Sequence, residues 1–254
     1  MSEATFTQAP EFIKLLAHDL RWHLLKVLSL GDYRVQELVA RVHEPMNLVS
    51  YHLKKLRDDG VVRTRRSEAD GRDVYYSLDM DRLRSLYRAV GTALHPALSP
   101  APAAHPEFDP PLRVLFICTH NSARSQMAEA LLRERGGSSI EVYSAGSHPT
   151  RLHPDAIRTM AAQGIDIQAQ QPKHWQDFAD QSFDYVITVC DRAREICPTF
   201  PGEGTAIHWG FADPAAIENA QERRRAFEQI ARQLASRIEY FLIRAAQHPG
   251  QRPI

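Results

Sequence analysis

The stretch VLFICTHNSARSQMAEALL, residues 114–132, decides the fold of the larger part of this chain. It opens with a wholly apolar run, Val114-Leu115-Phe116-Ile117, which suits a short strand buried on both faces. The segment from Cys118 to Ser125 is polar, and the helical pattern that follows from about residue 122 is halted by Gly136 and Gly137. Strand, loop and helix N-terminus in that order make an anion cradle, because the first backbone N–H groups of a helix lack internal partners and carry the positive end of its dipole. A thiol there, Cys118, beside the guanidinium of Arg124, is expected to ionise readily and to act as a nucleophile. Arg124 offers a planar fork for two oxygens of a tetrahedral oxyanion, Ser125 a hydroxyl for the thiolate, and Asn121 a lock on the loop's shape. The oxyanion-binding loop is therefore read as Thr119, His120, Asn121, Ser122, Ala123 and Arg124.

Outward from this loop, strands are expected at 113–117, 141–144, 185–189 and 205–208, and helices at 122–135, 153–163, 175–179 and 215–246. Such alternation predicts an α/β domain with a parallel sheet covered on both faces. Upstream, apolar residues at helical spacing predict a helix over 11–30, and two more at 35–42 and 47–59 form a helix-turn-helix pattern. Two β-compatible runs, 61–66 and 73–78, flank a turn with Asp70-Gly71, a hairpin dipeptide. The first part thus reads as a winged helix-turn-helix, mostly α with a β-hairpin wing. Between the parts, Pro96, Pro100, Pro102, Pro106, Pro110 and Pro111 lie among alanines and predict a semi-rigid linker. The expected organisation is residues 1–95, a linker at 96–111, and residues 112–254; a chain of 254 residues has room for two cores.

Bulk properties narrow the function. No apolar run reaches the roughly 18 residues of a membrane span, and residues 1–10 show no basic start followed by an apolar stretch, so a cytoplasmic location is expected. Zero formal net charge argues against indiscriminate nucleic-acid binding and leaves room for a local basic patch. The cysteines, Cys118, Cys190 and Cys197, number three, so no fully paired structural framework exists and catalysis becomes the better question. The histidines form no tight cluster with them at zinc spacing, and no metal site is assigned.

Residues 114–132, with Tyr143-Ser144-Ala145-Gly146 and Asp213-Pro214, resemble the active-site loop of the low-molecular-weight tyrosine phosphatase fold. More closely, residues 112–246 are similar to the thioredoxin-coupled arsenate reductases on that fold. Val189-Cys190, Cys197-Pro198 and His208-Trp209-Gly210-Phe211-Ala212-Asp213-Pro214 carry this likeness. The resemblance implies that Cys118 attacks arsenate while Asp213 protonates the departing oxygen. Cys190 then attacks Cys118, releasing arsenite, and Cys197 resolves the resulting disulfide for external thioredoxin, with no bound cofactor. The mostly polar segment between Cys190 and Cys197 suits a mobile, exposed stretch. Asp213-Pro214 is also an ordinary helix-start pair. Two positions depart from the family: His120, where glycine is common, and Lys173, near where some relatives place an acidic group that helps hold potassium. A lysine ammonium can fill that place, so no bound cation is predicted. A phosphatase needs no electrons, and the additional cysteines favour the reductase over it; a non-catalytic oxyanion sensor is the third reading.

Residues 10–95 resemble the ArsR-type winged-helix repressors, through Val49-Ser50-Tyr51-His52-Leu53-Lys54-Lys55-Leu56, Gly60-Val61-Val62 and Tyr75-Tyr76-Ser77-Leu78. On the second helix of the pair, Asn47, Ser50, Tyr51 and Lys54 can face a major groove, and Arg65, Arg66 and Arg72 on the wing can neutralise phosphates. The resemblance implies a homodimer on a palindromic operator, with helices 11–30 and 81–94 at its interface. No cysteine lies in this domain, so a thiol-based inducer site there is not expected.

Overall fold

The computed structural model describes residues 9–95, 108–202 and 204–247, so most of the expected linker, at 96–107, lies outside the described residues. The described residues divide into two compact units, 9–66 with 72–95, and 67–71 with the residues from 108 onward.

In the first unit, α1 (Glu11–Leu16), α2 (Asp19–Leu28), α3 (Val35–Val42) and α4 (Met46–Asp58) precede the hairpin β2 (Val62–Arg66) and β3 (Val74–Leu78), and α5 (Met80–Leu94) follows. A two-residue strand, β1 (Tyr33–Arg34), joins the wing, giving an antiparallel sheet in the order β1-β3-β2. The single helix expected at 11–30 is two helices. His18 is extended (φ −147°, ψ 121°), and the Arg21 guanidinium donates to the carbonyls of Leu15 and Lys14, satisfying the end of α1 that the continued helix would otherwise have served. Leu24, Leu38, Val49, Leu53 and Leu56 fill the core. Gly60, at φ +71°, turns the chain from α4 into the wing through a left-handed conformation that β-carbon-bearing residues resist.

The second unit is built on a parallel four-stranded sheet in the order β5-β4-β6-β7, with β4 (Leu112–Cys118), β5 (Ile140–Gly146), β6 (Tyr185–Thr188) and β7 (Thr205–His208). The helix α6 (Arg124–Gly136) packs on β4 and β5 and against the long terminal α9 (Ala220–Gln247), which also meets α7 (Pro154–Ala161). Every residue of α6 from Arg124 to Leu132 is buried, so this helix has no solvated face in its first two turns. Phe116, Met127, Leu131, Leu132 and Phe227 are among the fully buried side chains, each contributing about 1.5–3 kcal/mol by leaving water.

Three further segments differ from expectation. The segment at 175–179 is a 3₁₀ turn, Trp175–Phe178, begun by His174. The terminal helix starts at Ala220 rather than 215, because Asn219 Oδ1 accepts the N–H groups of Gln221 (2.9 Å) and Glu222 (3.1 Å), ending a separate 3₁₀ turn, Pro214–Ala216. The stretch after Cys190 is not a loose loop but a helix, α8 (Asp191–Ile196), whose Asp191 and Ala193 are buried.

The strand order places a reversal of winding between β4 and β6: from β4 the chain first adds β5 on one side, then β6 and β7 on the other. Crevices outside the carboxyl ends of strands at such a switch are where open α/β sheets bind ligands. Cys118 ends β4, and Cys190 follows β6 by two residues.

Candidate active site

The loop from Cys118 to Arg124 closes around the Cys118 sulfur. Asn121 donates its backbone N–H to Sγ at 3.1 Å, and Ser125 Oγ lies 2.9 Å from the same atom. No side chain caps α6, so its N-terminus is left to face the loop. Cys118, Asn121 and Ser125 are all buried.

Asn121 holds the loop. Its backbone is left-handed (φ +46°), a region asparagine tolerates better than most residues. Its Nδ2 donates to Ser125 Oγ (2.9 Å) and Ser144 Oγ (2.8 Å), and its Oδ1 accepts from Lys173 N (2.7 Å) and Gln126 Nε2 (3.1 Å). His120 is not in the left-handed region, so the departure from glycine at that position costs no backbone strain, and its side chain is exposed. Gly146 is required by close approach: a β-carbon there would lie 2.6 Å from Thr119 O and 2.8 Å from Asn121 N.

Behind the loop, Glu129 is buried and accepts from Ser144 Oγ, from Arg133 and from Lys173 Nζ, the last at 3.4 Å. The ammonium of Lys173 thus neutralises the carboxylate beneath Asn121.

Arg124 is buried, with Nη1 donating to Phe211 O at 2.7 Å and Nη2 lying 3.2 Å from Asp213 Oδ2. Burial opposes its charge, yet the negative character of Cys190 and Asp213 beside it holds its pKa above the ordinary arginine value. Asp213 also begins the 3₁₀ turn Pro214–Ala216, its Oδ1 accepting from Ala215 N at 3.2 Å. The two readings of this aspartate, cap and site carboxylate, therefore hold at once, one oxygen each.

Cys190 is buried, and its sulfur lies 3.4 Å from Thr119 Oγ1, the hydroxyl of the residue after Cys118. Burial first, and then the neighbouring Cys118, raise the Cys190 pKa, with Arg124 and the Thr119 hydroxyl opposing them. Cys197 sits at the far end of α8, half-buried, its thiol pushed up to about 11 by burial. The structure thus gathers Cys118, Arg124, Ser125, Asp213 and Cys190 in one crevice, with Cys197 apart. His208 and Asp191, which the sequence did not single out as functional residues, lie next to this group. Among the described residues no three His, Cys, Asp or Glu side chains gather as a metal site would need, and no helix is long and apolar enough to cross a membrane.

In the first unit, Asn47, Ser50, Tyr51 and Lys54 are all exposed on one face of α4, opposite the buried Val49, His52, Leu53 and Leu56. Lys54 Nζ pairs with Asp58 at 2.6 Å. On the wing Arg66 and Arg72 are exposed, whereas Arg65 is half-buried with its guanidinium 5.5 Å from the centre of the Tyr75 ring.

Residues 113–248 match the family described as low molecular weight phosphotyrosine protein phosphatase, and residues 18–64 match the bacterial regulatory proteins of the arsR family. An arsenate reductase of Halalkalibacterium halodurans is 37% identical over 129 residues, covering 50% of this chain and 93% of that protein. An arsenate reductase of Bacillus licheniformis is 40% identical over 129 residues, with the same coverage of 50% and 93%. Among solved structures, one described as an arsenate reductase in oxidized state is 29% identical, covers 52% of this chain and 97% of its own, and superposes with a TM-score of 0.44.

Proposed function

Because the chain belongs to the low molecular weight phosphotyrosine protein phosphatase family, we propose that its second domain, 112–254, is an arsenate reductase working through Cys118, Cys190 and Cys197, joined by the linker 96–111 to an ArsR-type DNA-binding domain, 1–95. The observation that carries this reading is the seat of Cys190: its sulfur is 3.4 Å from the hydroxyl of Thr119, beside the nucleophile, where a phosphatase needs no second thiol.

In the first step the Cys118 thiolate attacks arsenic, and Asp213, held 3.2 Å from Arg124, gives a proton to the leaving oxygen, which departs as water. Arg124, Asn121 N–H and the N-terminus of α6 receive the oxyanion's charge. Cys190 then attacks Cys118 Sγ. The sulfur–arsenic bond breaks, its electron pair stays on arsenic, and arsenite leaves behind a Cys118–Cys190 disulfide. The order of events has a physical basis. Burial is the first cause of the raised Cys190 pKa and charge on Cys118 the second; bonding to arsenic takes the charge off that sulfur and onto oxygens facing Arg124, so the second cause is relieved while Arg124 and Thr119 still favour the Cys190 thiolate.

Cys197 next attacks Cys190 and frees Cys118. With α8 intact the two residues are about 10 Å apart along the helix axis, at 1.5 Å per residue, whereas a disulfide needs Cα atoms within about 7 Å. The helix must therefore unwind, which exposes the Cys190–Cys197 disulfide to a thiol carrier, for which we assign thioredoxin.

The first domain binds a palindromic operator as a homodimer, with Asn47, Ser50, Tyr51 and Lys54 reading bases and Arg65, Arg66 and Arg72 meeting phosphates. Both activities belong in the cytoplasm. The second reading, a phosphatase, draws on the fact that Cys118, Arg124 and Asp213 form a complete set for ester hydrolysis without the other cysteines. Arsenate-dependent NADPH consumption with thioredoxin and its reductase separates them: the reductase turns over and is stopped by Cys118→Ser, Cys190→Ser or Cys197→Ser, whereas a phosphatase consumes no NADPH and hydrolyses aryl phosphate even as Cys190→Ser.

A further inference from the structure

One imidazole ties down the chain on both sides of Cys190. His208, the last residue of β7, is buried, and its Nδ1 lies 2.9 Å from Thr188 Oγ1, two residues before Cys190. Its Nε2 lies 3.1 Å from Asp191 Oδ1, the residue immediately after. Thr188 Oγ1 also reaches Ile207 O at 3.4 Å, and Asp191 is completely buried. Cys190 itself is extended (φ −151°, ψ 153°) at the junction of β6 and α8, where its carbonyl accepts the first bond of the helix, from Arg194 N at 3.2 Å. Strand pairing of β6 with β7 ends at Thr188 and His208; past it the backbone keeps Trp209 N–H on Thr188 O (2.9 Å) and Val189 N–H on Ile117 O (2.8 Å), and the His208 side chain adds the tie that reaches across Cys190 to Asp191.

We propose that His208 is a positioning residue for the thiol transfer: through Thr188 and Asp191 it holds Cys190 aimed at Cys118, and it makes α8 unwind from its Cys197 end. The inference rests on the three-thiol reading. In-line attack of one sulfur on another is sensitive to small displacements, and a misplacement of about 1 Å can cost on the order of a hundredfold in rate. A cysteine at a strand end, joined to a helix that must later open, needs a fixed point that survives the opening. His208 supplies it from β7, which is paired to β6 in the parallel sheet rather than to α8. Asp191, anchored at the first turn, leaves Arg192 to Cys197 as the part that swings, so that Cys197 travels to Cys190 rather than the reverse. His208 touches no reacting atom.

The test uses full-length Cys197→Ser protein, which stops at the Cys118–Cys190 disulfide, mixed with one equivalent of arsenate, quenched by alkylation and read by mass spectrometry. Phosphate affinity, measured by calorimetry, reports the loop independently. Adding His208→Ala is expected to slow disulfide formation at least about tenfold with phosphate affinity unchanged. His208→Gln, which restores a donor toward Asp191, recovers part of the rate, and Thr188→Val, which removes only the upstream tether, falls between. Disulfide formation at the parent rate in His208→Ala overturns the proposal. Equal loss of phosphate affinity and rate also overturns it, since His208 then supports the whole domain. If Thr188→Val folds as the parent and forms the disulfide as fast, the upstream tether does nothing and the clamp fails. Absence of any disulfide in the parent defeats the three-thiol reading itself, a result distinct from the others.

Discussion

Asp213 Oδ2 lies 3.2 Å from Arg124 Nη2, while its Oδ1 accepts the N–H of Ala215 at the start of a 3₁₀ turn. The turn fixes one oxygen of the carboxylate, and the other faces the guanidinium. In the proposed mechanism this makes proton donation by Asp213 separable from the binding of substrate.

Asp213→Asn keeps the capping oxygen and loses the acid. Turnover with arsenate is expected to fall by about 10²–10⁴-fold, while phosphate affinity, measured by calorimetry, is retained. A parallel fall in both would mean that the residue only supports the turn.

Gly146 leaves no room for a methyl group, because both Thr119 O and Asn121 N would lie within 3 Å of it. Gly146→Ala is expected to push the loop off β5, abolish phosphate binding and destabilise the domain by about 1–3 kcal/mol in urea titration. Binding that survives intact would show that the loop can shift without cost.

Burial raises the Cys197 thiol to about 11, above the ordinary value of about 8.5. A raised pKa withholds the thiolate, so at pH 8 only about one molecule in a thousand carries it while α8 is folded. Iodoacetamide labelling of Cys197 in the reduced protein should therefore climb with pH up to about 11. After a Cys118–Cys190 disulfide forms in the absence of thioredoxin, any Cys197 still free should label with a midpoint near 8.5, because the opened helix exposes it. Identical profiles before and after would show that α8 does not open.

On α4 the exposed face of Asn47, Ser50, Tyr51 and Lys54 is uninterrupted by buried residues. Asn47→Ala or Ser50→Ala should weaken binding to the protein's own operator by about 1–3 kcal/mol and leave random duplex binding alone, in fluorescence anisotropy. Arg72→Ala should weaken both and reduce the salt slope by about one. Uniform effects from Asn47→Ala would remove it from base reading.

The loop that joins Cys118 to Arg124 was legible because strand, thiol, loop, guanidinium and helix follow one another within twelve residues, Val114 to Ser125. The four partners of Asn121 were not, since Ser144 and Lys173 stand 23 and 52 residues away and arrive only through the fold. His208 escaped for the same reason: it meets Thr188 and Asp191 across 20 and 17 residues. The polar composition after Cys190 suggested exposure, but Asp191 is buried because it has an imidazole to face. Asn219 followed by Glu222 is a helix-start pattern, and it marks the true beginning of α9. In the first unit the apolar spacing across 11–30 hid a break that depends on the Arg21 side chain capping α1.

A count of thiols tests the proposed cascade most directly. The protein has three cysteines, and one equivalent of arsenate without thioredoxin should leave a single free thiol, on Cys118, with a Cys190–Cys197 disulfide and one arsenite released per chain. Three free thiols and no arsenite, with arsenate or phosphate bound at Cys118 and Arg124, would contradict it.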